Sequence, residues 1–177
     1  MGQTQKRLFL FRHAKSSWDD PGLADHDRPL APRGRRAAKS MVKHLRREGV
    51  APEIVLCSSA RRAQETLEGI APALGDNVTV LIEPELYGAS ASGLLERLRR
   101  LPEDTGSAML VGHNPAMQEL ALNLAGAESG RAAIEGKYPT AALATLSFEG
   151  SWTELGVGAA ELVDFVTPKA LKRSGQE

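Results

Sequence analysis

The sequence has a single cysteine, Cys57, so no internal disulfide can form, which fits a reducing compartment. It has no excess charge of either sign. The 22 Lys and Arg balance the 22 Asp and Glu, so nothing draws the chain to nucleic acid or an acidic membrane surface. Basic clusters such as Arg33-Gly34-Arg35-Arg36 and Arg97 to Arg100 read as solvated helix faces. Long apolar runs are also missing. The run after Lys6 and Arg7 is too short for a signal peptide, and no other stretch could span a bilayer. A soluble cytoplasmic protein is the simplest expectation. Histidines and carboxylates nowhere fall at metal-ligand spacing, so neither a metal nor another cofactor is expected. Cys57 does not fit a cysteine-phosphatase loop, because Ala63 stands where that loop needs an arginine. Gly156-Val157-Gly158 lacks the strand–turn–helix setting of a dinucleotide loop. With no repeat, low-complexity tract or linker, residues 1–177 are expected to form one domain. No coiled coil or obvious apolar edge sets an oligomeric state.

What is present begins with Leu8-Phe9-Leu10-Phe11, which runs straight into Arg12-His13. Such a run reads as a buried central strand, here from about Arg7 after a frayed 1–6. A long polar loop, Ser16 to Arg33, follows, with Pro and Gly turn signals. Ala37, Ala38, Met41, Val42 and Leu45 give Gly34 to Arg47 one apolar face, and a helix. Ile54 to Cys57 is a second strand. Ser58-Ser59 offers N-cap hydroxyls to a helix running to about Ala73. Val78 to Ile82 is a third strand and Glu83 to Ser92 a loop. Leu94, Leu95, Leu98 and Leu101 mark another helix, and Ser107 to Val111 a fourth strand. A helix from Pro115 to about Ala125 follows. After a Gly- and Glu-rich loop come two edge strands, Ala141 to Phe148 and Glu161 to Val166, and a polar tail from Pro168. Strands alternating with helices predict an α/β fold with a mostly parallel central sheet covered on both faces.

In such a sheet, ligands bind beyond the carboxyl ends of the strands. The first strand ends in Arg12-His13, the second leads into Ser58-Ser59-Ala60-Arg61-Arg62, and the fourth into Gly112-His113-Asn114. Two histidines and at least two arginines at one sheet edge describe an anion site holding a potential nucleophile. These motifs, Arg12-His13-Ala14, Ser58-Ser59-Ala60-Arg61-Arg62-Ala63-Gln64-Glu65-Thr66 and Val111-Gly112-His113-Asn114, resemble in order those of the histidine phosphatase, or phosphoglycerate mutase-like, superfamily. The resemblance extends from about Lys6 to Phe148. Ala14 stands where the family usually has Gly, and Glu65 where it usually has Gln. The short chain and the stretch Asp25 to Gly34 look most like the SixA-type phosphohistidine phosphatases. The resemblance implies a three-layer α/β/α sandwich without a large cap domain.

It also implies that His13 is the nucleophile, that Arg12 and Arg62 grip the phosphoryl oxygens, and that His113 donates to one of them. The family register selects Arg62 over Arg61. Arg28 is a further candidate clamp, or else a loop ion pair with Asp25 or Asp27; Ser16 is a weaker candidate for the same pocket. Lys15 could meet an acidic substrate surface or sit in water, with water favoured; His44 reads as a surface residue, His26 as a loop residue in a polar run, and Cys57 as a buried strand residue.

Ester hydrolysis needs an acid to protonate the departing alkoxide. Many superfamily members carry it in a Leu-x-Glu element after the third strand. Registered on Glu85-Leu86, that position falls on Gly88; Glu85 lies one turn of pattern too early but remains, with Arg28 and Ser16, a candidate for the pocket. A missing acid favours a leaving group that is easily expelled, such as the imidazole of phosphohistidine. The leading expectation is therefore a metal-independent phosphatase acting on a protein phosphohistidine. A phosphatase or mutase of a small phosphorylated metabolite, and a non-catalytic phospho-ligand binding module, are the alternatives.

Overall fold

A computed structural model describes residues 5–127 and 130–175. Among these the chain forms β1 (Gln5–Arg12), α1 (Pro32–Arg47), β2 (Ile54–Ser58), α2 (Arg61–Ile70), β3 (Thr79–Glu83) and α3 (Ala91–Arg99). It continues through β4 (Ser107–Gly112), α4 (Ala116–Leu124), α5 (Ala132–Gly136), β5 (Leu143–Glu149), β6 (Glu161–Val166) and α6 (Pro168–Ser174). The strands make one sheet in the order β3-β2-β4-β1-β5-β6. β1 to β4 are mutually parallel, and β5 and β6 are antiparallel additions at one edge.

Successive side chains of a strand point to opposite faces, and here both faces are apolar. Leu8 and Leu10 of β1 join Leu56 and Leu110 beneath Leu94 and Leu98 of α3 and Met117 and Leu120 of α4. Phe9 and Phe11 join Val55, Cys57, Met109 and Val111 beneath Ala38, Met41 and Leu45 of α1 and Ala63 and Leu67 of α2. Helices thus cover both faces, giving the three-layer α/β/α architecture, and no large cap is inserted.

The helix after β1 lies on one face and the helix after β4 on the other. β1 and β4 are hydrogen-bonded neighbours, with Arg12 beside Gly112. Their carboxyl ends therefore open a crevice between diverging chains, the place where this architecture holds ligands.

Several local details differ from the sequence reading. β1 begins at Gln5 rather than Arg7; Lys6 is buried there, its Nζ donating to the Glu103 carbonyl at 3.0 Å. The expected fraying of residues 1–4 concerns residues outside those described. α2 is capped by Ala60, with no side-chain cap bond, so Ser58 and Ser59 are free for other partners. His44 is buried rather than on the surface, with Nε2 3.7 Å from Asp164 and Nδ1 3.3 Å from an Arg47 nitrogen. α6 was expected as a polar tail. Thr167 caps it by accepting from the Ala170 amide, Pro168 opens it, and Gly175 ends it at φ +70°.

The long loop between β1 and α1 is folded back on itself. Ser16 bridges Leu30, and the Ala31 amide donates to the Lys15 carbonyl. A single 3-10 turn, Asp25–Asp27, forms its outer part. Gly34, in the first turn of α1, lies directly against the backbone of Lys15.

Candidate active site

His13 is the first residue beyond β1 and is buried. Its amide donates to the Gly112 carbonyl, and the Ala141 amide donates to the carbonyls of both Arg12 and His13. Ala141 adopts φ +61°, a left-handed conformation that costs a non-glycine residue about 1 kcal/mol, and this aims its amide at that pair. The next amide, of Ala14, donates to Thr66 Oγ1, which in turn donates to the Arg62 carbonyl. The strand end is thereby tied to β4, β5 and α2.

The ring of His13 is oriented by its own backbone. Nδ1 lies 2.7 Å from the Ala14 carbonyl, an acceptor only, so the proton sits on Nδ1 and Nε2 keeps its lone pair. Burial, helped by the charges of Arg62 and Arg12, lowers the ring's pKa to about 3. His13 is thus a neutral imidazole with one unshared nitrogen.

His113 stands 5.1 Å from His13, centroid to centroid. Its Nε2 is 2.7 Å from Ser58 Oγ, and that oxygen already accepts the Ala60 amide at 3.2 Å. The Ser58 hydroxyl proton is therefore free to go to His113 Nε2, which places the ring proton on Nδ1. Burial and the Arg62 charge lower the His113 pKa to about 4. Its Nδ1 is buried without a partner.

Two guanidiniums complete the group. Arg12 donates to the Tyr138 carbonyl at 2.8 Å, and Arg62 to the Asp25 carbonyl at 2.7 Å and the Asp25 carboxylate at 3.0 Å. The Nε of each is buried without a partner. Among the described residues, the buried side-chain nitrogens and oxygens lacking a partner are these two and His113 Nδ1. Each carries a proton to donate, and an unpaired buried donor costs about 1–3 kcal/mol. Three such donors, on a ring 5.1 Å from His13 and on two arginines whose charges act on it, suit an oxyanion with several oxygens, such as a phosphoryl group. Among the described residues no group of three or more His, Cys, Asp or Glu is assembled that could hold a metal ion.

The other sequence candidates are placed differently. Arg28 is buried and makes the loop ion pair, its nitrogens 3.1 and 3.2 Å from Asp25 Oδ1. It also donates to Ser16 Oγ at 2.9 Å and the Ser17 carbonyl, and Trp18 stacks on it at 3.4 Å. Ser16 is buried as that partner of Arg28. Glu85 is exposed and lines a separate surface cavity with Glu83, Ser90 and Arg97. Arg61 is exposed and pairs with Glu65, Lys15 is exposed, and Cys57 is buried, which pushes its thiol up to about 12.

Three residues stand at the cluster without having been singled out. Asp25 accepts from Arg62, Arg28 and the Tyr87 hydroxyl, so one carboxylate links two guanidiniums. The Tyr87 bond and then the arginines hold its pKa at about 2. Tyr87, from the loop after β3, presents its ring edge-on to His113 at 5.6 Å. His26, in the loop as expected, packs edge-on to Tyr87 at 4.9 Å and has Nε2 2.8 Å from Ser59 Oγ. The Asp25-x-x-Arg28 spacing was the available signal for the first; nothing in the sequence pointed to the other two.

Comparison with known proteins bears on this geometry. The model of the histidine phosphatase superfamily, branch 1, matches residues 8–90. An uncharacterized Mycobacterium tuberculosis protein is 39% identical over 162 residues, 89% of this chain and 99% of that protein. A structure from Nakamurella multipartitia, provisionally assigned as a phosphohistidine phosphatase SixA, superposes with a TM-score of 0.82 at 30% identity. It covers 95% of this chain and 99% of its own. The chain belongs to the histidine phosphatase superfamily. Within that superfamily it is SixA-like, and it is a phosphatase. The phosphohistidine phosphatase SixA of Escherichia coli is 27% identical over 147 residues, 82% of this chain and 87% of that protein. As a histidine phosphatase, the chain has the motif residues Arg12, His13, Arg62 and His113 together at the ends of β1, α2 and β4.

Proposed function

We propose that residues 1–177 act as one phosphatase domain that takes phosphoryl groups from protein phosphohistidine through a phosphohistidine on His13, without a metal. The three unpaired buried donors on Arg12, Arg62 and His113, together with a neutral His13 whose Nδ1 is bonded to the Ala14 carbonyl, carry this reading. In it, Arg12 Nε, Arg62 Nε and His113 Nδ1 each hold a phosphoryl oxygen while His13 Nε2 attacks phosphorus in line with the leaving group. The transition state spreads charge over the three equatorial oxygens, and the guanidiniums supply the positive charge a metal supplies elsewhere. Arg28 and Ser16 act at one remove, by fixing Asp25 against Arg62.

The substrate class follows from the leaving group. Glu85 faces another cavity and Asp25 is held ionised, so among the described residues neither is a carboxylic acid poised to protonate an alkoxide at His13. An imidazole, a far better leaving group than an alkoxide, needs no carboxylic acid, since its free ring nitrogen can take up a proton from a weaker donor. The kinship with SixA proteins supports the same substrate. Its exposed surroundings, with Trp18 at 71% exposure next to Arg28, suit a protein-borne phosphoryl group. The site takes no nucleic acid and no membrane lipid, and a cytoplasmic setting fits the lone buried thiol.

Phosphate release from a phosphohistidine protein, measured without metal beside a phosphoserine peptide, tests this. The wild type is expected to act on the first at least a hundredfold faster, and His13→Ala to act on neither. Equal turnover of the serine ester overturns the substrate assignment.

A further inference from the structure

Proton supply at this site has a specific solution outside the motif residues. Even an imidazole leaves a phosphoryl group far faster once its second ring nitrogen is protonated. Within the cluster, His13 and His113 are neutral, Asp25 is ionised, and the Tyr87 hydroxyl is committed to Asp25, which raises its pKa.

His26 is differently placed. It sits in the 3-10 turn of the β1–α1 loop, its side chain 41% exposed. Nδ1 is 3.3 Å from the Asp27 carboxylate, and Nε2 is 2.8 Å from Ser59 Oγ, so both ring protons of an imidazolium have acceptors. Asp27 comes from its own turn, Ser59 from the loop after β2, and Tyr87 from the loop after β3. Asp25, Arg62 and His113 are the other titratable or charged groups on the side it shares with Tyr87. The rings of His26, Tyr87, His113 and His13 form a row, with successive centroids 4.9, 5.6 and 5.1 Å apart. The 41% exposed side chain of His26 is one end of this series of ring contacts, and the buried His13 is the other.

We propose that His26, oriented by Asp27 and Ser59, is the catalytic acid that protonates the leaving group, an imidazole donor matched to an imidazole leaving group. This rests on the phosphohistidine reading above. The Nε2 proton of His26 passes to the unphosphorylated ring nitrogen of the substrate. His13 Nε2 bonds to phosphorus, the substrate P–N bond breaks, and its electron pair stays with the ring, which departs as neutral imidazole. His26 is now neutral. Water then attacks the phosphoryl group on His13 and gives one proton to His26. The P–N bond to His13 breaks with its electron pair returning to Nε2, inorganic phosphate leaves, and His26 is protonated again. An imidazole that gives a proton in the first half and takes one in the second serves both halves of this cycle.

The test compares dinitrophenyl phosphate, whose leaving group needs no proton, with phenyl phosphate, whose leaving group does. In His26→Gln the ratio of kcat/KM for the first over the second is expected to rise at least tenfold. Turnover of a phosphohistidine protein is expected to fall by about a hundredfold. Asp27→Asn, which alters the partner that orients Nδ1 of His26, should give a smaller rise in the same ratio. An unchanged ratio in His26→Gln overturns the proposal, whether or not activity falls, because a binding or structural role slows both esters alike. Should the wild type cleave the aryl esters but ignore phosphohistidine, the substrate reading fails while the ratio still decides the role of His26. Cleavage of none of the three by the wild type overturns both.

Discussion

The Ser58 hydroxyl serves two neighbours at once, accepting from one and donating to the other. It accepts the Ala60 amide and faces His113 Nε2 at 2.7 Å, so it fixes which nitrogen of His113 can donate into the crevice. Ser58→Ala removes that control and leaves the Ala60 amide unpaired in the interior. The expected result is a loss of about 1–3 kcal/mol in stability and at least a tenfold fall in kcat/KM. Nitrogen chemical shifts of His113 check the cause: a single Nδ1–H tautomer in the wild type and a mixture in the variant. At this scale the sequence was most legible where a side chain follows directly from a strand. His13 and His113 sit one residue past β1 and β4, and Arg62 sits in the first turn after β2, so the parallel sheet itself brings them together. Asp25, His26 and Tyr87 come from loops, where no periodicity says which way a side chain turns. Glu85 shows the same limit from the other side: one residue of turn at Leu86 sends Tyr87 to His113 and Glu85 to a different cavity.

α1 is the element that holds the long loop in place. A Cβ added at Gly34 would lie 2.1 Å from the Lys15 carbonyl oxygen, a backbone atom that cannot swing away. Gly34→Ala must therefore push α1 off the segment that follows His13. It is expected to lower the unfolding free energy by more than about 2 kcal/mol, in the range of overpacked cores, and to cut activity by tenfold or more. Urea unfolding beside phosphatase assays measures both. Gly69 of α2 has a related tight approach, with its added Cβ 2.9 Å from Ala38 of α1, so the two helices cross at small residues. These contacts explain why the helices could be read from apolar spacing while their packing could not: the spacing marks a face, and the small residue marks how close a neighbour comes. α5 lay unseen because its five residues bury only Ile134 and so leave little periodic trace. α6 had its signals in Thr167, Pro168 and Gly175, which a basic composition obscured.

Over the whole molecule, the sheet delivers two neutral histidines to an interior flanked by guanidiniums, and this has a thermodynamic cost in acid. His13 and His113 stay unprotonated in the folded state down to about 3 and about 4, whereas in the unfolded chain they take up protons near 6.5. Between those values the unfolded chain binds more protons, so stability rises with pH and is lost on acidification. Each histidine contributes a slope of up to about 1.4 kcal/mol per pH unit. Asp25, lowered from 3.8 to about 2, adds to the loss only below about pH 4. Urea unfolding at pH 7, 6 and 5 is expected to show this decline, with a flatter dependence in His113→Gln. The strand order and both covered faces were legible because each parallel strand is a short apolar run followed by a helix. The crevice between β1 and β4 was legible only as a shared edge. Its lining depends on Ser58, Tyr138 and Ala141, three backbone or hydroxyl contacts that no motif records.

The most direct test of the mechanism is to quench the enzyme during turnover of a phosphohistidine protein, under alkaline conditions that preserve P–N bonds, and to locate the phosphoryl group by peptide mass spectrometry. The account predicts an acid-labile phosphoryl group on His13 in the wild type, formed without added metal, and none in His13→Ala. Turnover with no label on His13, or with the label on another residue, would contradict it.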